Sequence, residues 1–167
     1  FGHSAGAPLI PAIFQDIEAS LMWLRQRYPQ QAIYILGQSI GAAIGTTSMA
    51  LFHQKYAING LILDAGLTGY RDIAQHVLAK SWFTWPVWPF TWLLPTQWDP
   101  IKHIDNITPK PLLMFHSQAD KILPYREGYR LFLQANHPKQ WVKSKGGHIQ
   151  TFNYGEYRQT LLKFLMQ

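Results

Sequence analysis

Cysteine is absent from the chain, which excludes a disulfide framework, thiolate metal ligation and a thiol nucleophile. Long apolar runs are missing too. The nearest approach to one, residues 82–98, is interrupted by Pro86, Pro89 and Pro95, and a bilayer-crossing helix needs an unbroken span. Acidic residues are few, nine Asp and Glu against fifteen Lys and Arg, for a formal charge of +6. The basic residues are scattered, with no run of five or more and no accompanying nucleic-acid motif, so they read as a solvated surface and no nucleic-acid partner is expected. No H-E-x-x-H or comparable ligand spacing occurs among the seven histidines, and no metal is expected. Neither an internal repeat nor a low-complexity tract is visible. The chain starts at Phe1 without a Met or a signal peptide, and is expected to be a truncated, processed or partly sequenced product. Its compartment is left open between cytoplasmic and membrane-peripheral, and its oligomeric state is not indicated.

What is present is a chain of 167 residues with 47% apolar composition, enough for one domain with a core. Ile13, Ile17, Leu21 and Leu24 form the stripe of an amphipathic helix over residues 12–28, ending before Pro29. Residues 32–36 are a short apolar strand, 40–55 a helix rich in Ala, Gly and Thr, and 60–63 a second buried strand ending at Asp64. After an aromatic stretch, residues 112–115 read as a strand, 125–135 as a helix, 140–142 as a strand and 154–166 as a closing helix. Such alternation predicts an α/β fold, a mostly parallel sheet with helices on both faces, in one domain over residues 1–167. Sheets of this kind carry their functional groups on loops beyond the carboxyl ends of the strands.

Two G-x-S-x-G pentapeptides occur, Gly2-His3-Ser4-Ala5-Gly6 and Gly37-Gln38-Ser39-Ile40-Gly41. Only the second lies between a strand and a helix, the setting in which a serine is exposed on a strained turn. Pro8 and Pro11 follow the first where a helix would have to run, so Ser4 reads as a loop serine. A serine hydroxyl needs a neutral imidazole to take its proton and a carboxylate to orient that imidazole. Asp120 fits the acid, because a buried strand opens there into a polar loop just before Pro124. The competing readings are that Asp120 only caps the next helix, or that Asp64, also ending a strand, is the acid. His148, in Gly146-Gly147-His148 between the last strand and the last helix, fits the base. His53, His76, His103, His116 and His137 lack that setting and read as surface or packing residues.

The stretches Phe1-Gly2-His3-Ser4-Ala5-Gly6-Ala7-Pro8, Gly37-Gln38-Ser39-Ile40-Gly41, Pro111 to Pro124 and Gly146-Gly147-His148 resemble the α/β-hydrolase superfamily. The nearest likeness is to its serine aminopeptidase-like and "α/β-hydrolase domain" branch, running almost end to end. The first stretch looks like the end of that branch's R-G-x-G-x-S-x-G-x-P loop. The resemblance implies Ser39 as nucleophile, Asp120 as orienting acid, His148 as general base and the Ile40 backbone N–H as one oxyanion donor, in an order shared by the family. It also implies that the second donor and the first strands lie upstream of Phe1. The chain is then the C-terminal part of a larger hydrolase, weakly active or inactive alone. No cofactor is implied.

Residues 81–98 hold five of the seven tryptophans and correspond by this resemblance to a cap over the active site. Trp85, Trp88 and Trp92 are candidate substrate contacts. The rings form an apolar acyl-binding wall, an interfacial surface meeting a membrane, or a small core packing the cap onto the sheet. An apolar wall implies a small-molecule acyl substrate, an ester, lipid or thioester, with esters favoured over peptides because no acidic group is evident to hold a substrate amine. The alternatives are an aminopeptidase-like peptidase, an acyltransferase, and a non-catalytic binding or membrane-associated module that retains the fold.

Overall fold

A computed structural model describes residues 9–167. Ser4 and the rest of the opening loop motif lie outside the described residues. The elements are α1 (Ile10–Arg27), β1 (Ile33–Gln38), α2 (Ile40–Phe52), β2 (Ile58–Asp64), α3 (Tyr70–Leu78), β3 (Leu112–Ser117), α4 (Tyr125–Gln134), β4 (Lys139–Ser144) and α5 (Gly155–Leu165). A 3-10 segment, Trp82–Leu93, follows α3, and shorter 3-10 turns occur at Pro100–Lys102, Ile104–Ile107 and Thr151–Asn153.

The four strands form one sheet in the order β1-β2-β3-β4, parallel throughout. Their side chains alternate between two cores, as a pleated backbone requires. Leu61, Leu63, Leu112 and Met114 pack with Leu21 of α1, Met49 of α2 and Leu131 of α4. Ile62, Leu113 and Phe115 point the other way, onto Tyr157 and Phe164 of α5. Helices therefore cover both faces, in agreement with the α/β reading. Small residues let α2 sit close to the sheet, and a Cβ added to Gly45 would lie 3.1 Å from Ile35 Cγ2.

The sequence reading missed α3. Nothing on this helix is fully buried, and the acceptor for its first N–H is remote, since Tyr70 N donates to Asp99 Oδ1 at 3.0 Å. The aromatic segment also departs from one expectation. It is not a packing core, for within Trp82–Leu93 only Thr91 is buried.

The strands end close together, β1 level with β2 and β3 level with β4, with β3 running two residues beyond β2. Gln38 pairs with Asp64, Asp64 with Phe115 and Ser117 with Ser144. The loops carrying Ser39, Ala65, Asp120 and His148 consequently leave the sheet along one edge.

Candidate active site

Ser39 occupies the single residue between β1 and α2, with φ 56° and ψ −122°. A non-glycine residue at positive φ costs on the order of 1–3 kcal/mol and persists only where its surroundings impose it. Two contacts impose it here. Ser39 N donates to Asp64 O at 2.9 Å, carrying the sheet ladder into the turn, and Ser39 O accepts from Ala42 N at 2.9 Å, starting the helix. Gly37 permits the sharp reversal because a Cβ there would fall 2.3 Å from Gly41 O and 2.8 Å from Ala42 Cα. Gly41 is less constrained, since a Cβ on it would meet nothing within 4 Å among the described residues. Ile40 opens α2, so its N–H is one of the four at a helix start without an acceptor in the helix itself.

Three side chains from three loops converge on this turn. His148 Nε2 lies 2.8 Å from Ser39 Oγ, and His148 Nδ1 lies 2.8 Å from Asp120 Oδ2. An ionised carboxylate can only accept, so Nδ1 carries the imidazole hydrogen and Nε2 is left to accept from the serine hydroxyl. The Asp120 side chain is 1% exposed and that of His148 14%, so the acid is sealed while the imidazole borders solvent. Burial alone would raise the Asp120 carboxyl. The hydrogen bonds from His148, Leu123 N and Ile122 N outweigh it and hold the group below its ordinary value. The two backbone donors lie 3.0 and 2.8 Å from Asp120 Oδ1.

Asp64, the rival acid, does not reach the imidazole. It is buried under the turn, where Oδ2 accepts from Gln38 Nε2 at 2.9 Å and Oδ1 from Thr151 Oγ1 at 2.7 Å. Burial raises its carboxyl above the ordinary value against the opposing pull of these two donors. Gln38 precedes Ser39 and Thr151 follows His148 by three positions, so one carboxylate ties the two loops together. Ser117 makes a second tie, donating through Oγ to Gly146 O and accepting from Ala119 N. Backbone strain gathers at the same edge, with positive φ at Ala65 (55°), Gly146 (86°) and the β-branched Ile149 (51°). Thr151 and Ser117 were missed as site residues, and Asp64 was weighed only as a rival acid. Ser117 ends a strand, which could have pointed to it, whereas Thr151 lies seven positions beyond β4.

No family model matches the chain. It is 28% identical over 180 residues to the uncharacterized protein YfhR of Salmonella typhimurium, an alignment covering 99% of this chain and 58% of that protein. It is 29% identical over 174 residues to human alpha/beta hydrolase domain-containing protein 17B, covering 100% of this chain and 54% of that protein. Among solved structures, an alpha-beta hydrolase from Vibrio vulnificus superposes with a TM-score of 0.75 at 20% identity, over 98% of this chain and 60% of that one. An esterase from Pyrococcus furiosus gives 0.73 at 18% identity, over 98% of this chain and 65% of that one. The chain has the α/β-hydrolase fold and is similar in sequence to α/β-hydrolase domain proteins. It spans little more than half the length of these two curated relatives.

The aromatic residues divide. Trp85 and Trp88 line a cavity of about 370 Å³ with Ala79 and Pro89, whereas Trp92 is not part of that lining. The Trp92 ring lies instead under the Arg71 guanidinium, 4.7 Å from its centroid. Trp88 and Ala79 also border a more polar cleft of about 420 Å³, which reaches Pro124, next to the loop that carries Asp120.

Among the described residues no other histidine hydrogen-bonds to Ser39. His53 Nδ1 meets Met49 O and His103 Nε2 meets Gln97 O. His116 is fully buried, with Nε2 on Leu123 O at 3.2 Å, so it braces the loop that presents Asp120. Among the described residues no cluster of three His, Asp or Glu side chains could hold a metal ion.

Proposed function

We propose that this chain carries the catalytic residues of a serine hydrolase acting on carboxylic esters. The observation behind this reading is the unbroken hydrogen-bonded series Ser39–His148–Asp120, with both links at 2.8 Å. The Ser39 turn then serves as a nucleophile elbow, its strain holding the hydroxyl where β1 ends and α2 begins.

The reaction follows from these positions. Ser39 Oγ attacks the ester carbonyl carbon as its proton passes to His148 Nε2, and Asp120 stabilises the imidazolium that forms. Negative charge builds on the carbonyl oxygen. The N–H of Ile40, without an acceptor among the described residues, and the positive end of α2, which has no acidic residue in its first turn, favour that charge. Collapse of the tetrahedral species breaks the bond to the alkoxy group, which leaves as the alcohol with the proton from His148. A water molecule then gives a proton to His148 and attacks the acyl carbon. The second collapse releases the acid and returns the proton to Ser39.

The ester preference rests on the esterase among the similar structures. The test is twofold. A fluorophosphonate probe should label the protein at Ser39, and p-nitrophenyl esters should be turned over by the wild type and not by Ser39→Ala. An unlabelled but folded protein would favour a non-catalytic module, and equal turnover by Ser39→Ala would remove Ser39 from the reaction.

A further inference from the structure

We infer that the aromatic segment Trp82–Leu93 is a docking surface for an anionic lipid membrane, an inference that goes beyond the chemistry at Ser39. Its large side chains face outward to a degree unusual for a folded protein. Trp82 is 76% exposed, Phe83 77% and Leu93 80%, with Trp85, Phe90 and Trp92 also mostly in solvent. A contiguous apolar surface of this kind carries a standing solvation cost and marks an interaction site.

The backbone beneath these rings is fixed. Pro86 and Pro89 stiffen the segment from within. Gln75 Nε2 of α3 donates to Thr91 Oγ1 at 3.0 Å, Thr91 Oγ1 to Trp88 O at 2.7 Å, and Arg71 to Trp92 O at 3.1 Å. The segment is therefore held by its polar side while its rings project, so docking needs little ordering of the backbone.

Charge selects the occupant. No Asp or Glu occurs between Asp72 and Asp99, and Asp99 is buried at the start of α3. Cations border the patch on several sides. Arg71 lies over Trp92, Lys80 bonds to Lys121 O, and Lys102 bonds to Thr96 Oγ1. Trp rings, apolar in body with a polar N–H, favour the boundary between headgroups and acyl chains, and neighbouring Lys and Arg are drawn to anionic headgroups. A second copy of this chain would bring the same cations and a formal charge of +6 against the patch, and like charges oppose that pairing. No helix among the described residues is long and apolar enough to cross a membrane, so this contact lies on the bilayer surface.

The experiment uses the Ser39→Ala protein, so that the result is independent of the hydrolase reading. Flotation with phosphatidylcholine vesicles is compared with flotation when phosphatidylserine is added. The protein should float with the anionic vesicles, and a Trp82→Ser, Phe83→Ser, Phe90→Ser variant should partition more weakly by roughly tenfold or more, because interfacial binding scales with buried apolar area. Lys80→Glu with Lys121→Glu should weaken binding to the anionic vesicles alone. Brominated lipid should quench the segment's fluorescence while Trp23, exposed on α1, stays unquenched. Circular dichroism establishes that each variant is folded. Equal flotation of the folded aromatic variant, or no flotation of the parent, would overturn the inference. So would a vesicle-independent dimer that these substitutions dissociate.

Discussion

Thr151 donates its hydroxyl hydrogen to the buried carboxylate of Asp64 at 2.7 Å, from three positions beyond His148. Because the same carboxylate holds Gln38, next to Ser39, loss of this bond should loosen the spacing between serine and imidazole. Thr151→Val keeps the side-chain shape and removes the donor. Its ester turnover number should fall between about tenfold and a hundredfold with KM little changed, the cost of misplacing groups that must approach closely. Steady-state kinetics beside a thermal melt would check this, and a KM effect alone would count against it.

Asp120 and Asp64 share one edge of the sheet but should titrate in opposite senses. Asp120 is held below its ordinary value near 3.8, so its unfolded form binds protons more readily. The stability it contributes is present above that value and is lost as pH falls through the lower folded one. Asp64 is raised above 3.8. Its contribution is full below the ordinary value and is lost as pH rises through the folded one. Relative to wild type, Asp120→Asn should therefore cost more stability near neutrality than in acid, and Asp64→Asn less. Urea denaturation across that range measures both, and parallel pH profiles would contradict the assignment.

Asp120→Asn should also separate the two acids catalytically. An amide at this position favours the wrong imidazole tautomer, and loss of the corresponding carboxylate in a serine–histidine–aspartate triad lowers turnover by about 10⁴-fold. Asp64→Asn should retain far more activity, since Asp64 does not touch the imidazole. The reverse ranking in p-nitrophenyl ester assays would make Asp64 the acid.

The two glycines of the serine pentapeptide should respond unequally. Gly37→Ala places a methyl group against backbone that has no room for it and should destabilise the fold by roughly 1–3 kcal/mol or more. Gly41→Ala meets open space among the described residues and should melt close to wild type. Differential scanning calorimetry on the pair is sufficient.

The parts of this site that were legible in the sequence are those whose signal is local. A switch from strand to helix periodicity located Ser39, a polar loop after a buried strand located Asp120, and a glycine pair before the last helix located His148. The link from Asp64 to Thr151 joins residues 87 positions apart, and neither side chain advertises the other. The helix α3 was hidden for the same reason, because Asp99 caps it from 29 positions away. The aromatic segment misled in a different way. Its composition is that of a core, and only the fold reveals that α3 holds the backbone and leaves the rings outside.

The long connection between β2 and β3 supplies none of Ser39, Asp120 and His148. Those three sit on loops after β1, β3 and β4, and the parallel sheet sets their spacing. Under the proposed function, reactivity and recognition fall on separable stretches of chain. Within that connection Leu67, Ile104 and Ile107 are buried in the core, so the room to diverge lies in its exposed aromatic part, Trp82–Leu93.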